Sequence, residues 1–168
     1  YDQVAVLQRE VGRRMLERLD YVRLEPQRVL DLGCGTGASI TALHERYPKA
    51  AVIGVDLSEA MLRIGQKQRS RLRWLLPFLP GRRPALLAAD AAALPFKPQS
   101  IDLLWSNLLL HWLDDPLQGF REAYRLLEID GLLMFSTFGP DTLKQLRASF
   151  GDGYLHTQRF TDMHDSRD

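Results

Sequence analysis

The sequence predicts an α/β fold, a doubly wound and mostly parallel sheet with helices on both faces. Three observations carry that prediction. Short apolar runs at 28–32, 50–55, 85–89, 101–106 and 132–138 alternate with segments of helical periodicity, as in a parallel sheet built from crossover units. The first run enters a glycine turn, Asp31-Leu32-Gly33-Cys34-Gly35-Thr36-Gly37, from which a helical segment departs. Three aspartates, Asp31, Asp56 and Asp90, stand at or near the carboxyl ends of three different runs. Ligands of open α/β sheets collect at that edge.

Length and composition bound the rest. A chain of 168 residues is one domain by prior, 1–168, with an N-terminal helix inside 1–24 and a basic insertion over 63–83. It is 45 % hydrophobic and 26 % charged with net charge +1, so there is no global case for a nucleic-acid or membrane partner. No apolar run approaches the roughly 18 residues of a membrane span, and no signal peptide is visible. The single cysteine, Cys34, has no intramolecular partner for a disulfide, which points to a reducing, cytoplasmic setting. No cluster of residues suggests a metal site. The chain begins at Tyr1 and closes in a polar segment, so both ends read as cuts in a longer protein.

In chain order, Val4, Leu7, Val11, Met15 and Leu19 are spaced for an amphipathic helix over 3–20. Tyr1, Gln8 and Arg9 lie before or early in it, in reach of a ligand site at the sheet edge. After Pro26 comes the first strand and the glycine turn. Glycine there supplies positive φ and lets a ligand approach the backbone, and the helix over 38–47, burying Ile40 and Leu43, points its first N–H groups at the same place. The second strand ends in Asp56, which falls 19 residues after Gly37, near the spacing of about 20 at which an acid meets a ribose hydroxyl. Ser58 reads as an N-cap, with Ala60, Met61 and Ile64 packing behind it. Leu57 and Met61 stand where apolar residues line an adenine.

From Arg63 to Arg83 the chain carries seven basic residues and no acid, interleaved with Trp74, Leu75, Leu76, Phe78 and Leu79. That is either a solvated face or a positive patch for an acidic partner. The third strand ends in Asp90-Ala91, an acid and an N–H for a purine edge. The fourth leaves through Trp105-Ser106-Asn107-Leu108 toward His111-Trp112. Asp114-Asp115-Pro116 starts a helix whose buried face is Leu117, Phe120, Tyr124 and Leu127. Asp130-Gly131 turns into a buried fifth strand, Leu132–Phe138, and a last helix follows Gly139-Pro140-Asp141 with Leu143, Leu146 and Phe150 inward.

Two ligands fit the glycine turn. Gly33-x-Gly35-x-x-Ala38 satisfies the loose dinucleotide pattern. The carboxylate of Asp31 argues otherwise, because it repels a pyrophosphate and attracts a cation. S-adenosylmethionine carries an ammonium and a sulfonium and no phosphate. The spelling Asp31-x-Gly33-x-Gly35-x-Gly37 resembles the first motif of class I S-adenosylmethionine-dependent methyltransferases, which have a Rossmann-like sheet. A glycine-rich connection that binds nothing is the bland alternative.

Further segments resemble a narrower family. Tyr1-Asp2, Val6-Leu7-Gln8-Arg9-Glu10-Val11-Gly12, Trp105-Ser106-Asn107-Leu108, Phe138-Gly139-Pro140-Asp141-Thr142-Leu143 and Arg159-Phe160-x-Asp162-Met163-His164-Asp165 are similar to the malonyl-acyl carrier protein O-methyltransferases of biotin biosynthesis. The resemblance implies S-adenosylmethionine as cofactor and S-adenosylhomocysteine as product. It assigns the cofactor to Asp31 with Gly33, Gly35 and Gly37, to Asp56, to Asp90, and to Asn107 and Leu108; Cys34 inside the loop, Leu57 and Met61 after the second strand and Ala91 after the third join them by position. It implies an acidic acyl carrier protein, or a carrier-linked or CoA-linked malonyl group, docking on Arg63–Arg83. Such enzymes add a C-terminal antiparallel hairpin after the fifth strand, and nothing after Asp168 supplies it here, so the substrate lid is expected to be incomplete.

A malonyl carboxylate, with a pKa of about 4, is already an anion at neutral pH and needs no general base. His111 is the one weak candidate for a catalytic base. Substrate-side candidates are Tyr1, Trp112, Arg147 and Arg159, the arginines as partners for the carboxylate. Two other readings stay open. The complex I assembly factor family, thought to hydroxylate an arginine, shares the loop and a Phe138-Gly139-x-Asp141-Thr142-Leu143-like segment. A non-catalytic module that only holds S-adenosylmethionine would share the loop as well.

Overall fold

A computed structural model describes residues 5–75, 84–139, 141–142 and 144–149, with the backbone alone at 69–75 and 146–148. Arg28–Leu32 is the central strand β1, and β2 (Ala51–Asp56), β3 (Ala85–Ala88), β4 (Ile101–Asn107) and β5 (Leu127–Ser136) assemble around it. Every neighbour pairs in parallel, in the order β3-β2-β1-β4-β5. The chain winds one way from β1 to β3 and the other way from β4 to β5. The carboxyl ends of β1 and β4 therefore flank the topological switch point, where such sheets form a crevice.

Two apolar layers sandwich the sheet. On one face α1 (Val6–Arg18), α2 (Ala38–Arg46) and α3 (Glu59–Leu75) contribute Met15, Ile40, Leu43 and Leu62 against Val29, Val52, Leu103 and Trp105. On the other, α4 (Pro116–Leu126) contributes Ala123 and Leu126 against Leu30, Leu32, Val55 and Leu104. Period-2 alternation along each strand sends successive side chains to these two layers. Asp115 caps α4 by accepting the Leu117 and Gln118 N–H groups, with Pro116 at the first helical position, as expected from the sequence.

The chain divides into two units, Tyr1–Ser136 and Thr137–Asp168. In the second, α5 (Lys144–Ser149) follows a turn in which the Thr142 N–H donates to the Gly139 carbonyl and the Lys144 N–H to the Asp141 carbonyl. Of the inward residues expected there, Leu143, Leu146 and Phe150 lie outside the described side chains.

Several faces differ from expectation. In α1, Met15 and the following Leu19 are buried but Leu7 is exposed; Val4 lies outside the described residues. In α3, Ala60 and Ile64 are exposed and Met61 half-buried, while Leu62 and Gly65 face inward. In α4, Leu117 and Tyr124 are exposed and the buried stripe is Gly119, Ala123 and Leu126. Phe120 keeps its expected role, packing edge-on against Phe135 at 5.3 Å, and Leu127, where β5 begins, packs half-buried against the core. One cause runs through the last two helices. Small residues let them lie close to what they cover: a Cβ on Gly119 would stand 2.6 Å from Leu113 Cδ1.

The segment read as a basic insertion is, over 63–75, part of the crossover helix α3 that joins β2 to β3; 76–83 lie outside the described residues. β5 begins at Leu127, ahead of the expected Leu132, and ends at Ser136. Ile101 pairs with Leu127 and Leu103 with Leu132, so residues 128–131 stand opposite Asp102 alone. The Asp130-Gly131 turn is thus a bulge inside the strand, with Asp130 at φ 65°. The residues after it are half-buried, short of the full burial expected.

Candidate functional site

The glycine turn lies at the carboxyl end of β1 and is held by the protein's own acceptors. Gly33, Gly35 and Gly37 have φ of 75°, 55° and 84°, left-handed values that side-chain-bearing residues rarely adopt. Gly33 and Cys34 both donate their N–H to the Val55 carbonyl, at 2.8 and 2.9 Å, and Gly37 donates to the Cys34 carbonyl at 2.8 Å. Gly35 donates to Asp56 Oδ2 at 2.7 Å. Asp56 Oδ1 accepts the Ser58 N–H at 2.8 Å, and Ser58 Oγ caps α3 through the Met61 N–H at 3.4 Å. One carboxylate at the end of β2 thereby fixes both the turn and the start of α3.

These bonds bear on the two ligands. The N–H groups of Gly33, Cys34 and Gly35 are spent inside the protein, which leaves the start of α2 as the donor end of the turn. Asp31 adds the opposite charge. It is 2 % exposed, stands in register between Gly54 of β2 and Trp105 of β4, and its Oδ2 has no hydrogen-bond partner among the described residues. Burial, and secondarily the charge of Asp56, push its carboxyl up to about 7. A buried acid with an unused oxygen beside a ligand turn suits a cation, and so fits S-adenosylmethionine and disfavours a dinucleotide.

The other expected residues fall as follows. The Cys34 side chain is buried toward Gly54, where an added Cβ would lie 2.8 Å from its Sγ, and its thiol also donates to the Gly35 carbonyl within the turn at 3.9 Å. Leu57 is exposed and Met61 half-buried. Asp90 is exposed just past β3 and accepts the Ala92 N–H at 2.8 Å, with Ala91 buried beside it. Asn107 hydrogen-bonds through both amide atoms: Nδ2 donates to the Gln8 carbonyl and Oδ1 accepts from Ser136 Oγ. Leu108 is buried. His111 and Trp112 occupy a 3₁₀ turn after β4, their rings 5.4 Å apart and tilted by 42°. Burial holds the His111 imidazole below its ordinary pKa, and Trp112 is 73 % exposed. Tyr1 and Arg159, and the Arg147 side chain, lie outside the described residues. Ser136 and Gly65 were missed in the sequence; no local pattern marks either, since each acts through a partner far away in the chain.

A parallel sheet of this order, with its glycine turn and strand-end acids, has the Rossmann-like architecture of nucleoside-cofactor-binding α/β proteins. The comparisons narrow it. Residues 30–135 match the profile described as "Methyltransferase domain", so the chain belongs to the methyltransferase-domain family. A protein of Gallionella capsiferriformans (strain ES-2) named malonyl-acyl-carrier protein O-methyltransferase is 49 % identical over 170 residues, covering all of this chain and 58 % of the relative. One of the same name from Methylovorus sp. (strain MP688) is 50 % identical over 170 residues, covering all of this chain and 56 % of the relative. The chain thus spans a little over half the length of the curated relatives it matches. A SAM-dependent methyltransferase from Thermotoga maritima shares the fold at 22 % identity, with a TM-score of 0.65 over 98 % of this chain and 70 % of its own. Among the described residues, no helix is long and apolar enough to cross a membrane.

Proposed function

We propose that the protein is a cytoplasmic S-adenosylmethionine-dependent O-methyltransferase that esterifies the free carboxylate of malonyl-acyl carrier protein, in biotin biosynthesis. One observation carries this reading: similarity at 49–50 % identity, over the whole chain, to relatives of that name. The geometry of the glycine turn supports the cofactor. In this reading Asp31 faces its cationic end, Asp56 takes the ribose hydroxyls on its remaining lone pairs, and Asp90 with the Ala91 N–H reads the adenine edge beside Leu57 and Met61.

The cofactor, when bound, would supply a sulfonium methyl carbon to an anionic oxygen, the C–S bond breaking as the O–C bond forms and the sulfur leaving as the neutral thioether of S-adenosylhomocysteine. The protein's task is then positioning, which can lower a barrier by on the order of 7–11 kcal/mol in favourable cases. The malonyl carboxylate is ionised at neutral pH, so His111 has no proton to remove. Arg147 or Arg159 orients the carboxylate, Trp112 borders it, and the basic stretch Arg63–Arg83 receives the acidic carrier.

The test is a methyl-transfer assay on the full-length protein with malonyl-acyl carrier protein, alongside calorimetry with S-adenosylmethionine. Stoichiometric methyl ester and S-adenosylhomocysteine are expected. Cofactor binding without transfer would replace the enzyme with a binding module, and NAD binding in its place would overturn the cofactor.

A further inference from the structure

Asn107 is the last residue of β4, at the rim of the switch-point crevice, and both polar atoms of its amide are hydrogen-bonded within the protein. Nδ2 donates to the Gln8 carbonyl in the first turn of α1 at 2.8 Å. Oδ1 accepts from Ser136 Oγ, at the end of β5, at 2.9 Å. A helical carbonyl has a second lone pair, so Gln8 can take this bond and keep its place in the helix. Reaching that carbonyl requires a notch in α1, and Gly12 is the notch: a Cβ there would stand 3.1 Å from Asn107 Nδ2.

The same serine holds the next residue in an uncommon conformation. Leu108 has φ 55°, a left-handed value strained for a branched side chain. Its N–H donates to Ser136 Oγ at 3.0 Å and to the Ser136 carbonyl at 3.1 Å. The sharp exit from β4 that follows lays Leu109 against the glycine turn, where a Cβ on Gly33 would meet Leu109 Cδ1 at 2.8 Å. A continuous chain of contacts therefore runs from α1 through Asn107 and Ser136 to Leu108, Leu109 and Gly33.

We infer that Asn107 is a positioning residue of the cofactor site, clamping the first turn of α1 and the end of β5 so that the strained Leu108–Leu109 exit is set against the glycine turn. It acts through its neighbours and uses no atom on the ligand. The inference rests on the methyl-donor reading of the site.

Asn107→Ala and Ser136→Ala in the full-length protein test it through two readouts, amide hydrogen exchange along α1 and calorimetric affinity for S-adenosylmethionine. Loss of the clamp is expected to raise exchange in residues 8–12 while β1 and α2 stay protected. It is also expected to weaken cofactor binding about tenfold, the scale of one or two hydrogen bonds, with kcat at saturating cofactor within about twofold because uniform binding alone is lost. Ser136→Ala should move both readouts in the same direction by less, since the Leu108 N–H keeps the Ser136 carbonyl, and it carries the test if Asn107→Ala does not fold. Raised exchange with unchanged affinity would reduce Asn107 to a structural tie and overturn the positioning role. Weakened affinity with unchanged exchange would mean direct ligand contact and overturn the clamp. If the unmodified protein binds no S-adenosylmethionine, the methyl-donor reading fails, while the exchange profile still decides the clamp.

Discussion

The Gly35 N–H donates to Asp56 Oδ2 at 2.7 Å, across 21 residues of sequence. The acid proposed to receive the ribose hydroxyls is therefore also the anchor of the glycine turn. Asp56→Ala removes both functions. Charge-assisted bonds of about 1.5–3 kcal/mol each translate into a loss of cofactor affinity of about 100-fold or more. Asp56→Asn keeps one carbonyl acceptor and should fall between. Calorimetric titration of the two variants checks the order; equal affinities for all three proteins would remove Asp56 from the site.

Asp31 should make cofactor binding depend on pH. Burial raises its carboxyl to about 7, from about 3.9 in an unfolded chain. A cation favours the ionised form, so affinity should fall by up to about tenfold per pH unit below 7 and level off above it. The stability of the free protein runs the other way. A folded pKa above the unfolded one contributes stability that is complete below about pH 4 and lost as the pH rises through about 7. Asp31→Asn should accordingly raise the Tm of the free protein at pH 8, gain little at pH 4, and abolish the pH dependence of binding. Calorimetry between pH 5.5 and 7.5 with paired melts at pH 4 and 8 measures both, and a flat binding profile would refute the coupling.

Gly65 is where α3 touches the glycine turn. A Cβ there would overlap the Thr36 carbonyl oxygen and stand 2.9 Å from its carbonyl carbon. Backbone does not swing aside as a side chain does. Gly65→Ala should cost about 1–3 kcal/mol, as overpacking does, and should also weaken cofactor binding because the turn moves. The Gly139→Ala control, where a Cβ meets nothing among the described residues within 4 Å, should leave both unchanged in the same melts and titrations.

The basic stretch predicts a salt-dependent encounter with the carrier. Reversing the charge at Arg69, Arg71 and Arg73 should raise KM for carrier-linked malonyl substrate at low salt and leave cofactor affinity unchanged, since steering charges act on association. Unchanged turnover at low salt would exclude the patch as a docking surface.

Sheet and ligand turn were readable because they repeat a pattern in few residues. Asp31 to Gly37 spells a turn whose three glycines all adopt left-handed φ, and Asp56 stands at the spacing a strand-end acid requires. Helix faces are less readable because helical spacing admits more than one stripe. In α4, Leu117 and Tyr124 share a face by spacing, yet Ala123 and Leu126 pack into the sheet layer and Gly119 lies against Leu113 of the turn after β4, a contact with a segment that the helix's own sequence does not show. The bulge at 128–131 in β5 reads as a turn in one dimension; only the jump in register from Ile101–Leu127 to Leu103–Leu132 makes it a strand interruption. Ser136 and Asn107 meet through side chains 29 residues apart, a relationship that no local spacing encodes.

The inverted face of α4 carries its own test. Leu126 is fully buried between α4 and the sheet and Tyr124 is 84 % exposed, the reverse of what their sizes suggest. Leu126→Ala leaves a cavity in the layer formed with Leu30 and Leu104 and should cost about 2–5 kcal/mol. Tyr124→Ala removes a larger side chain from solvent and should stay within about 0.5 kcal/mol of the parent. Urea midpoints at constant m-value report both. A Tyr124 variant as unstable as the Leu126 variant would place the tyrosine face of α4 against the sheet and overturn the packing described.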